Sequence, residues 1–99
     1  DEILEQKMAN FQSNWLDNNF LKFGFDKSHF KYVELGCGRG WLVSNMKKLG
    51  YASLGFDPDF NSVNWGKTNL GVDISQGFLD IENKNVNKIE DYFLKLIAA

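Results

Sequence analysis

The sequence predicts an α/β fold: a doubly wound, mainly parallel sheet preceded by helices. Three observations predict it. Short β-branched and aromatic runs at 31–35 and 51–56 read as strands, and stretches of helical periodicity follow each of them. Glycine or proline closes almost every run, as Gly36, Gly50, Pro58 and Gly71 do. Strands that alternate with helices in this way are joined by right-handed crossovers and lie parallel.

Each element can be justified in order. Residues 3–16 carry Ile3, Leu4, Met8, Phe11, Trp15 and Leu16 at helical spacing, with polar residues between, and read as an amphipathic helix. The stretch 18–26 reads as a short helix or turn ended by Gly24 and Asp26. Its aromatics, with Trp15, either lid a pocket or pack on the sheet, and packing is the preferred reading for Trp15, Phe20, Phe23 and Phe25. Lys31–Leu35 reads as a buried strand, Trp41–Leu49 as a helix with Gly50 after it, and 51–56 as a second strand. A helix over 60–70 packs through Val63, Trp65 and Leu70, and 72–76 forms a third strand. Residues 83–91 read as a loop or ragged helix, and 92–98 as a fourth strand with helix as the alternative. The expected organisation is a helical segment over 1–30 and half of an α/β domain over 31–99, stopping after its fourth strand.

Composition narrows the class. A chain of 99 residues forms one domain at most, with a thin core. Its 43% hydrophobic and 15% aromatic content excludes intrinsic disorder. The net charge of −2, with no run of Lys or Arg, does not indicate a nucleic-acid partner. A single cysteine, Cys37, allows no intrachain disulfide and no cysteine-based zinc site, which fits a reducing compartment and a cytoplasmic location. No apolar run approaches the length of a membrane span or a signal peptide, and the absence of an initiating Met suggests a trimmed start.

The segment that carries chemistry is Val33-Glu34-Leu35-Gly36-Cys37-Gly38-Arg39-Gly40-Trp41, three glycines between a strand and a helix. Glycine allows a sharp turn and lets a ligand approach the backbone, while the next helix aims its free N–H groups at the same spot. The spacing is G-x-G-x-G rather than the dinucleotide G-x-G-x-x-G, and Trp41 stands where the third glycine of that fingerprint would be. An acid, Glu34, lies two residues before Gly36. Asp57 closes the second strand 21 residues after Gly36 and is followed by Pro58. The third strand leads into Gly77-Phe78-Leu79-Asp80.

These residues resemble motif I and its companion segments in the class I, Rossmann-like S-adenosylmethionine-dependent methyltransferases. The resemblance covers residues 31–81 and extends more weakly to the end of the chain. It implies that Glu34 holds the ligand's amino group, directly or through water. It further implies that the loop of Gly36, Cys37, Gly38 and Gly40 wraps the methionine part of the cofactor. Asp57 would accept both ribose hydroxyls, a task suited to the two oxygens of a carboxylate, and Pro58 would pack beside the adenine. Phe78 and Leu79 would edge the adenine. Many members carry an acid where Phe78 stands; here Phe78 stacks on the ring or Asp80 reaches it.

The expected function is therefore methyl transfer from S-adenosylmethionine, leaving S-adenosylhomocysteine, to an acceptor the sequence does not identify. A small molecule is favoured, with protein and RNA open. By the same resemblance three further strands and the acceptor-binding residues would follow, so the 99-residue piece is expected to bind cofactor with little turnover. It is also expected to self-associate through an exposed sheet edge. A non-catalytic ligand-binding or partner module is the alternative. A nicotinamide-dependent oxidoreductase agrees with Asp57 but not with Glu34 and Trp41. Cys37 reads as a small loop spacer rather than a nucleophile. Arg39 reads equally as a carboxylate partner or a solvated side chain. His29, the single histidine, reads as structural or exposed rather than as a general base.

Overall fold

The computed structural model describes residues 1–77. Helix α1 (Glu2–Lys22) leads through a one-turn 3₁₀ segment (Lys27–His29) into β1 (Lys31–Leu35). Then follow α2 (Trp41–Lys48), β2 (Ala52–Asp57), α3 (Phe60–Leu70) and β3 (Ile74–Gln76). The strands form one parallel sheet in the order β1-β2-β3, so each crossover steps to the next strand in the same direction. The α/β class and the parallel sheet expected from the sequence are present. The expected fourth strand over 92–98 lies outside the described residues.

Register fixes which side chains face which layer. Glu34 pairs with Gly55 and Gly55 with Ile74, so these three rows point to one face. That face receives α2 and α3, and Val43, Val63, Val72 and Ile74 pack on it with Cys37, flanked by Tyr32 and Leu70. Met46, Ile74 and Val43 are fully enclosed, each worth about 1.5–3 kcal/mol of burial. Val33, Leu35 and Leu54 alternate onto the opposite face, and Leu35 is 46% exposed there. Among the described residues the packed helical layer lies on one face. The first strand is therefore only half-buried, not enclosed as its apolar sequence suggested.

The helices start and stop where the chemistry of their ends dictates. The Asp1 side chain caps α1 by accepting from Ile3 N–H at 2.9 Å, and Asp59 caps α3 by accepting from Asn61 N–H at 3.2 Å. Gly71 ends α3 in the left-handed conformation. Helix α1 runs straight through Asn18 and Asn19, where a break was expected. Asn19 Nδ2 donates to Trp15 O at 2.7 Å, so its amide bonds within the helix instead of competing with it. The chain turns only at Phe23 and Gly24, the latter at φ 77°.

The packing face of α1 also differs from expectation. Small residues, Ala9 and Ser13, are buried and let α1 lie close on α2. Trp15 and Phe23, expected to pack on the sheet, are 57% and 72% exposed. Phe20 instead meets Phe25 and Tyr51 edge-on, with centroids 5.6 and 5.8 Å away. Polar contacts tie α1 to the rest: Tyr51 OH donates to Asp17 at 2.6 Å, and Lys27 Nζ reaches Asp17 at 3.0 Å and Leu49 O at 2.7 Å. Burial pushes the Tyr51 hydroxyl up to about 12, and that hydrogen bond holds the Asp17 carboxyl below its usual range. No helix among the described residues is long and apolar enough to cross a membrane.

Candidate functional site at the carboxyl end of the sheet

The glycine turn 36–40 leaves the carboxyl end of β1, and the residue closing β2 fastens it. Gly36 N–H and Cys37 N–H both donate to Phe56 O, at 2.7 and 3.0 Å. Gly38 N–H donates to Asp57 Oδ2 at 2.8 Å, while Asp57 Oδ1 accepts from Asp59 N–H at 2.8 Å. Asp57 thus joins the middle of the turn to the approach of α3. Gly77 N–H donates to Asp57 O at 3.1 Å, and Gln76 Nε2 donates to the exposed Pro58's carbonyl at 3.0 Å. All of these groups lie outside the carboxyl ends of parallel strands, where open α/β sheets bind ligands.

Not every glycine of the turn serves the same end. Gly40 has φ +91°, and a Cβ there would lie 2.9 Å from Val72 Cγ2 and 3.3 Å from Ile74 Cδ1, so it lets α2 begin directly on β3. At Gly36 and Gly38 a Cβ would meet none of the described residues within 4 Å. Those two positions border open space beside Asp57. The close approach of helix to sheet comes from Gly55, whose added Cβ would sit 2.8 Å from Cys37 Sγ and 2.9 Å from Val43 Cγ2. Gly66 on α3 plays the same part against the Arg39 carbonyl. Sequence reasoning passed over both. The available signal was a glycine inside a helix, which costs helix stability without a packing reason.

Two carboxylates flank the turn. Glu34 is half-buried on β1 and accepts from Tyr32 OH at 2.9 Å, a partner two residues back on the same strand face. Burial raises the Glu34 carboxyl above its usual range, the Tyr32 hydrogen bond opposes this, and the charge of Asp57 adds to it. Burial and Glu34 together also raise the Tyr32 hydroxyl. Among the described residues no cation pairs with Glu34 or Asp57. Arg39, inside the turn, is drawn away: its guanidinium lies 4.6 Å over the Trp65 ring and 3.9 Å from Glu5 of α1. The N-terminus of α2 carries no side-chain cap. Among the described residues, the start of α2 therefore presents uncapped backbone N–H groups beside two carboxylates that no cation pairs with.

Trp41 does not block the turn. Its indole packs 5.8 Å from Trp65 and donates through Nε1 to Glu5 at 3.1 Å. Glu5 thereby forms one wall of an open depression of about 210 Å³ between α1 and the turn, bordered also by Met8, Gln12, Glu34, Cys37, Gly38 and Arg39. Nothing in the sequence marked Glu5, which is 36 residues from its partner. Cys37 is buried, and burial with both carboxylates pushes its thiol up to about 12, which disfavours the thiolate a nucleophile needs. His29 lies at the amino end of β1, exposed, with Nδ1 2.8 Å from Asp26 Oδ2, well away from the turn. A hollow of about 250 Å³ at that end, between Phe20, Phe25, Phe30, Lys31 and Tyr51, is mostly apolar and has no carboxylate among its described lining residues.

The structure thus groups Glu34, Gly36, Cys37, Gly38, Gly40, Asp57 and Pro58 at one end of the sheet; Phe78 and Leu79 lie outside the described residues. No group of side chains that could hold a metal ion is present among the described residues. No protein-family model matches the chain, and none of the curated proteins matches it in sequence.

Proposed function

We propose that this chain binds S-adenosylmethionine at the carboxyl end of its sheet, as the cofactor-binding part of a class I methyltransferase with a Rossmann-like fold. The observation that carries the reading is the pair of carboxylates, Glu34 and Asp57, beside a glycine turn that, among the described residues, borders open space and holds no cation paired with either acid. A ligand with a sulfonium and an ammonium group suits that charge. A dinucleotide pyrophosphate, doubly anionic, would face both carboxylates with Arg39 turned away, which disfavours the oxidoreductase alternative.

The residues present fit the cofactor as follows. Glu34 takes its amino group, the backbone of Gly36 and Gly38 closes over its aminocarboxylate, and Asp57, with lone pairs left beyond its two N–H contacts, takes the ribose hydroxyls. Pro58, exposed at the end of β2, flanks the adenine. The cofactor supplies an electrophilic methyl group already activated by positive sulfur, so the protein's task is mainly alignment. Calorimetric titration with S-adenosylhomocysteine, with NAD as comparison and Asp57→Ala as control, tests the reading. Binding of the first ligand alone, weakened in the variant, supports it; binding of NAD alone, or of neither to the folded chain, overturns it.

A further inference from the structure

Helix α1 has apolar side chains on two sides. One side, around Ala9, Ser13 and Leu16, turns to α2. On the other, Leu4, Met8, Phe11 and Trp15 follow one another at steps of four, three and four residues and are 56%, 53%, 72% and 57% exposed. At 3.6 residues per turn these four fall within an arc of about 60°, the narrow stripe of a two-helix seam rather than the broad face of a helix on a core. Between them the surface is hollowed: one depression is bordered by Lys7, Met8, Phe11 and Gln12, and the next by Phe11, Gln12, Trp15, Leu16 and Leu42 of α2. Alternating knobs and hollows are the relief by which two helices interlock.

We propose that this stripe is a self-association surface and that its partner is a second copy of the same chain, α1 lying antiparallel on α1. Such a two-fold contact must be self-complementary, each position meeting its counterpart twice. An axis passing between Met8 and Phe11 sets Met8 against Phe11 of the second copy and Leu4 against Trp15, a flexible or smaller side chain opposite a large ring each time. In the same register Glu5 comes beside Gln12 and Leu16 of the second copy along one flank, and Lys7 beside Asn14 and Asn10 along the other, so no like charges meet across the stripe. Area agrees. With roughly 150–250 Å² per aromatic side chain and more than half of each exposed, the stripe offers at most on the order of 500 Å² per copy, so the pair comes to ~1,000 Å², the lower limit of a specific contact and the size of a weak, concentration-dependent dimer. This surface adjoins the depression beside the glycine turn through Met8 and Gln12, but the proposal does not depend on the ligand proposed for that turn.

Sedimentation equilibrium of the full chain, from low to several hundred micromolar, tests the proposal. The expected mass rises from 11.4 kDa to twice that value. Phe11→Glu and Met8→Glu, both exposed and so neutral to the fold by circular dichroism, each weaken the dimer about tenfold or more. Phe60→Glu, a substitution at another exposed ring, on α3, leaves the dimer intact. A monomer at every concentration, a dimer insensitive to Phe11→Glu, or growth beyond two copies overturns the proposal.

Discussion

Gly40→Ala separates the structural part of the glycine turn from the part that borders open space. Two costs add at Gly40. An L-residue at φ +91° carries about 1–2 kcal/mol of backbone strain. The new methyl carbon, 2.9 Å from Val72 Cγ2 and 3.3 Å from Ile74 Cδ1, also meets a fully enclosed side chain with no room to move, adding about 1–3 kcal/mol of overpacking. The sum is about 2–5 kcal/mol, and at ~4–8 °C per kcal/mol the melting temperature falls by at least ~8 °C. Gly38→Ala carries the strain at φ +57° but meets none of the described residues within 4 Å, so it costs about 1 kcal/mol. Its methyl group enters the space assigned to the cofactor and lowers affinity instead. Urea and thermal unfolding of both variants, followed by circular dichroism, give the comparison. Equal losses, or a larger loss at Gly38, would refute the close approach of α2 to β3.

Further outcomes follow from the charges and contacts around the turn. Because the Glu34 carboxyl is raised, the folded chain holds its proton more readily than the unfolded chain; that contribution to stability is present in acid and lost as pH rises through the folded-state value. Glu34→Gln keeps an acceptor for Tyr32, so at neutral pH it is at least as stable as the parent by urea unfolding, with the difference shrinking in acid, while cofactor affinity falls. The Asp17 carboxyl is lowered, so its contribution is present above the ordinary carboxylate range and disappears as pH drops through the folded-state value. Tyr51→Phe therefore costs about 1 kcal/mol near neutrality, and the gap to the parent narrows in acid-denaturation curves. Cys37 resists iodoacetamide in the folded chain and reacts once urea unfolds it; rapid native labelling would contradict its raised thiol and burial.

Much of the frame was legible because local signals agreed with the fold. The strand over 31–35, the helix over 60–70 with Gly71 behind it, and Asp57 at a strand end all follow from periodicity and breakers over a few residues. The turn was legible because three glycines in five residues have few other uses. What escaped depends on contacts between distant residues. Glu5 reaches Trp41 from 36 positions away, and Gly55 and Gly66 matter only because Cys37, Val43 and Arg39 press on them. The side of α1 that packs was misjudged because size was taken as the guide. Ala9 and Ser13 are buried precisely where α2 comes close, and the larger residues are left outside.

The central claim, that the carboxyl-end turn binds the methyl donor, is tested most directly by amide NMR of the labelled chain titrated with S-adenosylmethionine. The account predicts saturable shifts concentrated at Gly36, Cys37, Gly38 and at Asp59, whose N–H rests on Asp57, with no comparable response to NAD. Shifts centred on the aromatic hollow at Phe20, Phe25 and Tyr51, or an unchanged spectrum from a well-folded chain, would contradict it.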